Sequence, residues 1–142
     1  MKTLKIEIAG RTYHLCLNGA ALFDIYDKFG TDHFLLDPIR GETREAFNAT
    51  CWLFAKLAEQ GELVRRRMGH DKERIDLPEH FCAVFRPADV LRARRAIEEA
   101  VRLGFAREAE DEGGDEVDLG LLELDAQKKT AGGWLSRVIC KS

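Results

Sequence analysis

The first thirty residues constrain the fold most, because they combine alternating apolar positions with a glycine turn and a helix signature. Apolar residues occupy every second position from Leu4 to Ile8 and again from Tyr13 to Leu17, with Gly10 between the two runs. Two alternating runs separated by a short loop that contains glycine predict a β-hairpin.

A helix is predicted directly after this hairpin. Asn18 is of a residue type that caps helix N-termini, and Leu22, Ile25 and Phe29 follow at helical spacing before Gly30. The segment contains neither a nucleophile–base pair nor a phosphate-binding loop. It therefore indicates packing or assembly rather than catalysis.

Further helices are predicted in the middle of the chain. Thr43 is a candidate cap for a long amphipathic stretch, and we interpret Gly61 as the end of that stretch. Pro78 and Pro87 suit the first turn of a helix. The predicted helical stretches are 43–61, 62–68, 76–85 and 87–104.

The composition changes after residue 105. The run from Glu108 to Glu116 has too little apolar surface to fold alone, which predicts a flexible acidic linker. The fold class expected is α+β: an N-terminal β-hairpin packed on a mostly helical body over residues 1–105, with a flexible acidic tail over residues 106–142. We see no internal repeat.

The tail carries apolar residues that are candidates for partner binding. An acidic segment often contains a short apolar docking element, but such residues can equally pack back on the parent body. Both interpretations stay open here. The candidate residues are Leu119, Leu121, Leu122, Leu124 and Trp134.

Composition limits the function classes. The 142 residues carry a net charge of −3, so the molecule as a whole has no electrostatic attraction to nucleic acid. No apolar run approaches the ~20 residues of a membrane span. The four cysteines lie far apart, and no signal-like apolar region precedes them. We expect reduced thiols, a cytoplasmic location and no membrane partner.

Two His-x-Cys pairs invite a zinc hypothesis, namely His14 with Cys16 and His80 with Cys82. A structural zinc site needs four clustered ligands, and neither pair is supported by a neighbouring ligand motif. A thiol enzyme would need a base beside a cysteine, and the sequence places none there. We expect no catalytic residue, no metal and no cofactor.

Two arginine clusters offer an alternative function in phosphate contact. Acidic residues follow both clusters closely, and pairs such as Arg94 with Glu98 account for them as solvated helix faces. A small DNA-binding or regulatory protein therefore ranks below an assembly protein. The residues of this alternative are Arg65, Arg66, Arg67, Arg92 and Arg95.

The opening, Ile6–Leu15 followed by Asn18–Gly30, resembles the start of tail assembly chaperones of long-tailed bacteriophages. Those proteins begin with a hairpin of the form I-x-G-x-x-Y-x-L and a helix that ends in Tyr/Phe-Gly. The segments Trp52–Phe54, Arg66–Gly69 and Asp118–Leu124 are also similar to that family. Residues 134–142 match no pattern of the family.

The resemblance implies a non-catalytic protein that binds the tape-measure protein and keeps it soluble while tail-tube subunits polymerise around it. Such a protein self-associates, acts in the bacterial cytoplasm and is absent from the finished virion. The family often makes a longer product by ribosomal frameshifting, and Lys128-Lys129 lies in the corresponding region. We expect the body to bind the tape-measure protein and the C-terminal segment to recruit tail-tube protein.

Overall fold

The computed structural model describes residues 2–106 and 116–126. Two strands come first, most of the remaining elements are helices, and a short third strand precedes the last helix. The elements are β1 (Thr3–Ile8), β2 (Arg11–Leu15), α1 (Gly19–Phe29), a 3₁₀ turn (Asp37–Ile39), α2 (Arg44–Arg67), α3 (Pro78–Val84), α4 (Pro87–Phe105), β3 (Glu116–Asp118) and helical backbone over residues 119–126, here α5. The predicted α+β class is confirmed.

The sheet has the strand order β2-β1-β3. β1 and β2 form the predicted antiparallel hairpin, with Ile6 opposite Tyr13, and the turn uses positive φ angles of 52° at Ala9 and 76° at Gly10. β3 runs parallel to β1 and pairs with residues 3–5. The sequence predicted the hairpin but not the third strand, which is formed by residues 116–118 from the segment assigned to the acidic tail.

One face of the sheet forms the core with α2 and α4. The alternating residues of the hairpin are all buried on this face: Leu4, Ile6, Ile8, Tyr13 and Leu15. Tyr13 belongs to an aromatic cluster that links the hairpin to the helices. Tyr13, Phe54 and Phe81 contact one another in it, with ring centroids 5.0–5.6 Å apart. Edge-on aromatic packing of this kind adds to the burial energy of the rings.

The helix starts follow the predicted capping signals. The Asn18 side chain accepts a hydrogen bond from the backbone N–H of Ala21 at 2.9 Å, and Thr43 accepts one from Ala46 at 3.1 Å. Gly30 ends α1 with a φ of 87°. These local signals satisfy backbone groups that a helix end would otherwise leave without partners.

α2 is longer than predicted. The sequence suggested that a helix ends at Gly61 and that a separate piece covers residues 62–68, but α2 continues through Gly61 to Arg67. Gly61 lies directly against β2, where a Cβ atom would come within 1.8 Å of the carbonyl oxygen of His14. The glycine therefore permits a close approach between helix and strand rather than a helix end.

Candidate partner-binding groove

An open, mostly apolar groove of about 710 Å³ lies between the end of α1, the first half of α2 and α3. α2 contributes residues 45, 48, 49 and 52, a spacing that places them on one helical face. α3 contributes the facing wall. The lining residues are Lys28, Phe29, Glu45, Asn48, Ala49, Trp52, Pro78, Glu79, Cys82 and Ala83.

Trp52 and Phe29 form the aromatic end of this groove. Their ring centroids lie 5.4 Å apart with the planes nearly perpendicular. The ammonium groups of Lys28 and Lys56 lie 5.9 and 5.8 Å from the Trp52 ring. Lys56 is itself held at 3.1 Å by Asp24 on α1. The indole is therefore fixed by neighbours on two helices and presents a partly exposed apolar surface.

The rim of the groove carries charges of both signs. Lys28 lies at the aromatic end, while Glu45 and Glu79 belong to the first turns of α2 and α3. Within residues 2–106 and 116–126, neither glutamate forms an ion pair. An apolar floor with a charged rim is the usual composition of a groove that accepts an amphipathic helix.

Two of the three described cysteines are poorly suited to act as nucleophiles. Burial raises the pKa of Cys16 to about 11. Burial, together with a hydrogen bond to Cys82, raises the pKa of Cys51 to about 12. Raised thiol pKa values disfavour the nucleophilic thiolate. Cys82 lines the groove, with its Sγ 4.0 Å from Asn48 Oδ1.

In both His-x-Cys pairs the histidine lies close to a carboxylate. Cys16 is buried in the core, whereas the Nδ1 of His14 lies 3.2 Å from Glu116 Oε2. His80 lies 3.7 Å from Asp76. In the part of the chain that the structure describes, no group of three or more His, Cys, Asp or Glu residues is arranged to hold a metal ion.

The C-terminal leucines divide between two environments. Leu119 is 2% exposed and belongs to the core, and Leu122 packs against the core from α5. Leu121 and Leu124 are 63% and 51% exposed. The described segment thus both packs on the body and presents leucines to solvent. The fifth candidate, Trp134, lies outside the described residues.

The three arginines of the first cluster lie in different surroundings. Arg66 forms an ion pair with Glu62 and donates to the backbone carbonyl of Glu73 at 3.0 Å. Arg65 lines a polar crevice of about 290 Å³ that also contains four carboxylates, Glu59, Glu62, Glu73 and Asp76. Arg67 ends α2. Three arginines line the same crevice, so its charges nearly balance and it offers no excess positive charge to a phosphate backbone.

The arginines of α4 lie in two separate crevices. Arg92 lines one together with Arg11, Arg86 and the acidic Glu7 and Asp89. Arg95 lines another with Glu98 and Glu99. The proposed pairing of Arg94 with Glu98 is not formed among the described residues. Arg94 instead donates to Thr50 Oγ1 at 3.3 Å, and Glu99 pairs with Arg102 at 3.0 Å. The five arginines therefore do not form one continuous basic surface.

Asp76 organises a polar junction that sequence reasoning did not identify. Its carboxylate accepts hydrogen bonds of 2.7 Å from Arg11, Tyr13 and Arg74. Burial opposes ionisation of Asp76, but the hydrogen bonds and the charge of Arg11 outweigh it and lower its pKa. Burial and the bond to Asp76 raise the pKa of Tyr13 to about 12. The junction ties the loop before α3 to the hairpin.

The sequence did not predict the groove either, although it placed the two aromatic residues of the groove on predicted helices. Phe29 and Trp52 lie on predicted helical stripes, and both contribute apolar surface. Only the placement of α3 opposite α2 turns that surface into a groove. A Pro at residue 78 predicts where α3 starts, but no local signal specifies which helix it faces.

Comparison with protein-family models, curated proteins and solved structures finds no match to this chain. Within the described ranges, no helix is both long and apolar enough to span a bilayer.

Proposed function

We propose that this chain is a non-catalytic phage or prophage tail assembly chaperone that binds and solubilises the tape-measure protein. It acts in the bacterial cytoplasm during tail morphogenesis and is absent from the mature virion. The observation that carries the proposal is the apolar groove between α1, α2 and α3. The resemblance of the hairpin and first helix to that family supplies the identity of the partner.

The shape and chemistry of the groove suit one turn or more of an amphipathic helix. Ala49, Trp52 and Ala83 provide small and aromatic contact surface, and Glu45 and Glu79 flank it with carboxylates. An amphipathic helix docks by placing side chains at i, i+3, i+4 and i+7 into such a groove. Basic residues that border its apolar stripe would meet the two glutamates.

Weak binding at each groove is compatible with a chaperone role. A long tape-measure chain offers many similar apolar stripes, and each would be covered by a separate copy. Self-associating copies gain avidity along one chain without tight individual contacts. The exposed Leu121 and Leu124 of α5 lie on a different segment, which leaves them for the tail-tube protein.

Co-expression with the tape-measure protein encoded by the same phage or prophage tests the proposal. The readout is the soluble fraction of the tape-measure protein and the amount of this chain that co-purifies. Ala83→Glu places a charge on the exposed wall of the groove. We expect this variant to lower the soluble fraction several-fold.

Ala88→Glu is the matched control, because Ala88 is an exposed alanine in the first turn of α4 and lies outside the groove. We expect it to preserve solubilisation. Equal behaviour of the two variants would reject the groove as the binding site. Failure of the unaltered chain to solubilise the tape-measure protein would reject the proposed function itself.

A further inference from the structure

A polar crevice of about 530 Å³ lies where the turn of the hairpin meets the start of α4, away from the groove. We call it the arginine crevice. Three arginines and two carboxylates line it, which leaves an excess of one positive charge. The charged residues are Arg11, Arg86, Arg92, Glu7 and Asp89. Several guanidinium groups in one concavity indicate an acidic ligand.

The three arginines belong to different parts of the fold. Arg11 is the first residue of β2, Arg86 is the N-cap of α4, and Arg92 lies in the second turn of α4. The turn residues Ala9 and Gly10 also line the crevice. α4 begins at this crevice, so the positive end of its dipole adds to the attraction for an anion.

The two carboxylates leave part of this positive charge uncompensated. Asp89 is 7% exposed, and its Oδ2 accepts hydrogen bonds from the backbone N–H of Arg86 at 2.9 Å and from its Nε at 3.3 Å. This carboxylate is therefore committed to the start of α4. Glu7 is exposed, where water and salt screen its charge.

Arg86 and Arg11 retain donors for a ligand. The contact of Arg86 with Asp89 uses Nε, and the side chain is 81% exposed. Arg11 donates from Nη1 to Asp76 and from Nη2 to the carbonyl of Arg74, both at 2.7 Å. Each terminal nitrogen of a guanidinium carries a second hydrogen. The bonds to Asp76 and Arg74 thus orient Arg11 without using all its donors.

Arg92 provides an independent sign of an acidic ligand. Its Nε is buried and forms no hydrogen bond with residues 2–106 or 116–126. A buried donor without a partner costs free energy. Because the positive charge of a guanidinium is delocalised over its three nitrogens, an anion held by the terminal nitrogens would offset part of this cost.

The geometry points to a binding site for a phosphate monoester in the arginine crevice, held by Arg11, Arg86 and Arg92. A phosphate monoester has three terminal oxygens and close to two negative charges at neutral pH. Guanidinium groups match such oxygens with paired donors. A carboxylate, or the phosphodiester of a nucleic acid, has only two free oxygens and one charge. Neither engages three arginines as fully.

Titration of the full chain with methyl phosphate tests the site. Two-dimensional amide NMR spectra are recorded at constant ionic strength and about pH 7.5, where the monoester is mostly dianionic. We expect saturable shifts of the backbone amides of Gly10 and Arg86, with a Kd on the order of 1 mM. Dimethyl phosphate, a diester, and acetate should each bind about fivefold more weakly or less.

Arg92→Gln should raise the Kd for methyl phosphate about tenfold, because it removes a charged donor. Arg95→Gln is the matched control: it makes the same substitution on the same helix, but Arg95 lines a different crevice. That control should stay within about twofold. Arg86→Gln is a second test that does not depend on a partly buried residue, and it should raise the Kd several-fold.

A nucleoside monophosphate and a phosphoserine peptide distinguish the two sources of such a group. Tighter binding of either one than of methyl phosphate would support the site and identify the source. Weaker binding of both would overturn it as a receptor for a natural phosphate ester.

Three further results would overturn the site. The first is the absence of saturable shifts up to about 50 mM methyl phosphate. The second is an equal effect of Arg95→Gln and Arg92→Gln, which means attraction by diffuse charge. The third is equal binding of dimethyl phosphate, which means contact with a nucleic-acid backbone. None of these measurements involves the tape-measure protein, so the site and the proposed function fail independently.

Discussion

Gly61 of α2 lies against the backbone carbonyl of His14 in β2, with space for hydrogen only. A Cβ at residue 61 would be 1.8 Å from the His14 oxygen and 2.5 Å from its carbonyl carbon. One turn earlier, the N–H of Cys16 donates to the carbonyl of Leu57 at 3.0 Å. The helix and the strand are therefore joined backbone to backbone along this contact.

Gly61→Ala should destabilise the fold strongly. The added methyl group forces α2 and β2 apart, and overpacking of this severity costs about 3 kcal/mol or more. Urea unfolding followed by circular dichroism measures the change in free energy. Gly19→Ala is the control, because Gly19 has nothing within 4 Å of its Cβ position, and it should change stability by less than about 1 kcal/mol. Equal effects would contradict the close approach.

Local signals in the sequence predicted local features well. Asn18 and Thr43 cap their helices, and Pro87 opens α4, because each acts on backbone groups within a few residues. Gly61 was misinterpreted because the reason for a glycine there is β2, more than forty residues away in sequence. A single sequence does not distinguish a glycine that ends a helix from one that admits a neighbour.

The third strand escaped prediction for a similar reason. Val117 stands alone between Glu116 and Asp118, which gives too short an alternation to indicate a strand. The strand forms because β1 offers a free edge and Leu119 anchors the following turn. The groove likewise depends on which helices meet, and helix pairing is a property of the whole core.

Leu119→Ala should destabilise the fold more than Leu121→Ala, because Leu119 is buried and Leu121 is exposed. Removal of a buried leucine side chain costs about 2–5 kcal/mol, and an anchor at the edge of the core should lie near the lower limit. Leu121→Ala, at a residue that is 63% exposed, should stay within about 0.5 kcal/mol. Thermal unfolding compares the two. A neutral Leu119→Ala would show that residues 116–126 contribute no burial energy.

Alkylation should discriminate among the cysteines in a Cys140→Ser background. Cys82 is partly exposed at the groove, whereas Cys16 and Cys51 are buried, with pKa values raised to about 11 and about 12. Iodoacetamide reacts with the thiolate, so Cys82 should react first and the other two at least tenfold more slowly. Peptide mass spectrometry over a time course measures the rates. Rapid, selective labelling of Cys16 or Cys51 would instead support the hypothesis that this protein is a thiol enzyme.

The two histidines with shifted pKa values should affect acid stability in opposite directions. Burial lowers the pKa of His14, and the charge of Arg65 adds to this effect while Glu116 opposes it. The pKa of His33 is raised because its ring nitrogens lie 2.8 Å from the carbonyls of Phe34 and Phe29, which favours the doubly protonated ring.

Below a pH of about 6.5, the usual histidine pKa, the unfolded chain protonates residue 14 more readily than the folded chain does. The stability from His14 is therefore fully present above that pH and is lost as the pH falls through the lowered folded value. His33 contributes in the opposite sense: its stability is present below pH 6.5 and is lost as the pH rises through the raised folded value. His14→Gln should consequently flatten the loss of stability between about pH 7 and pH 5, whereas His33→Gln should steepen it. Urea midpoints measured across this range give the slopes, and a steeper slope in His14→Gln would contradict the burial of a neutral imidazole beside Arg65.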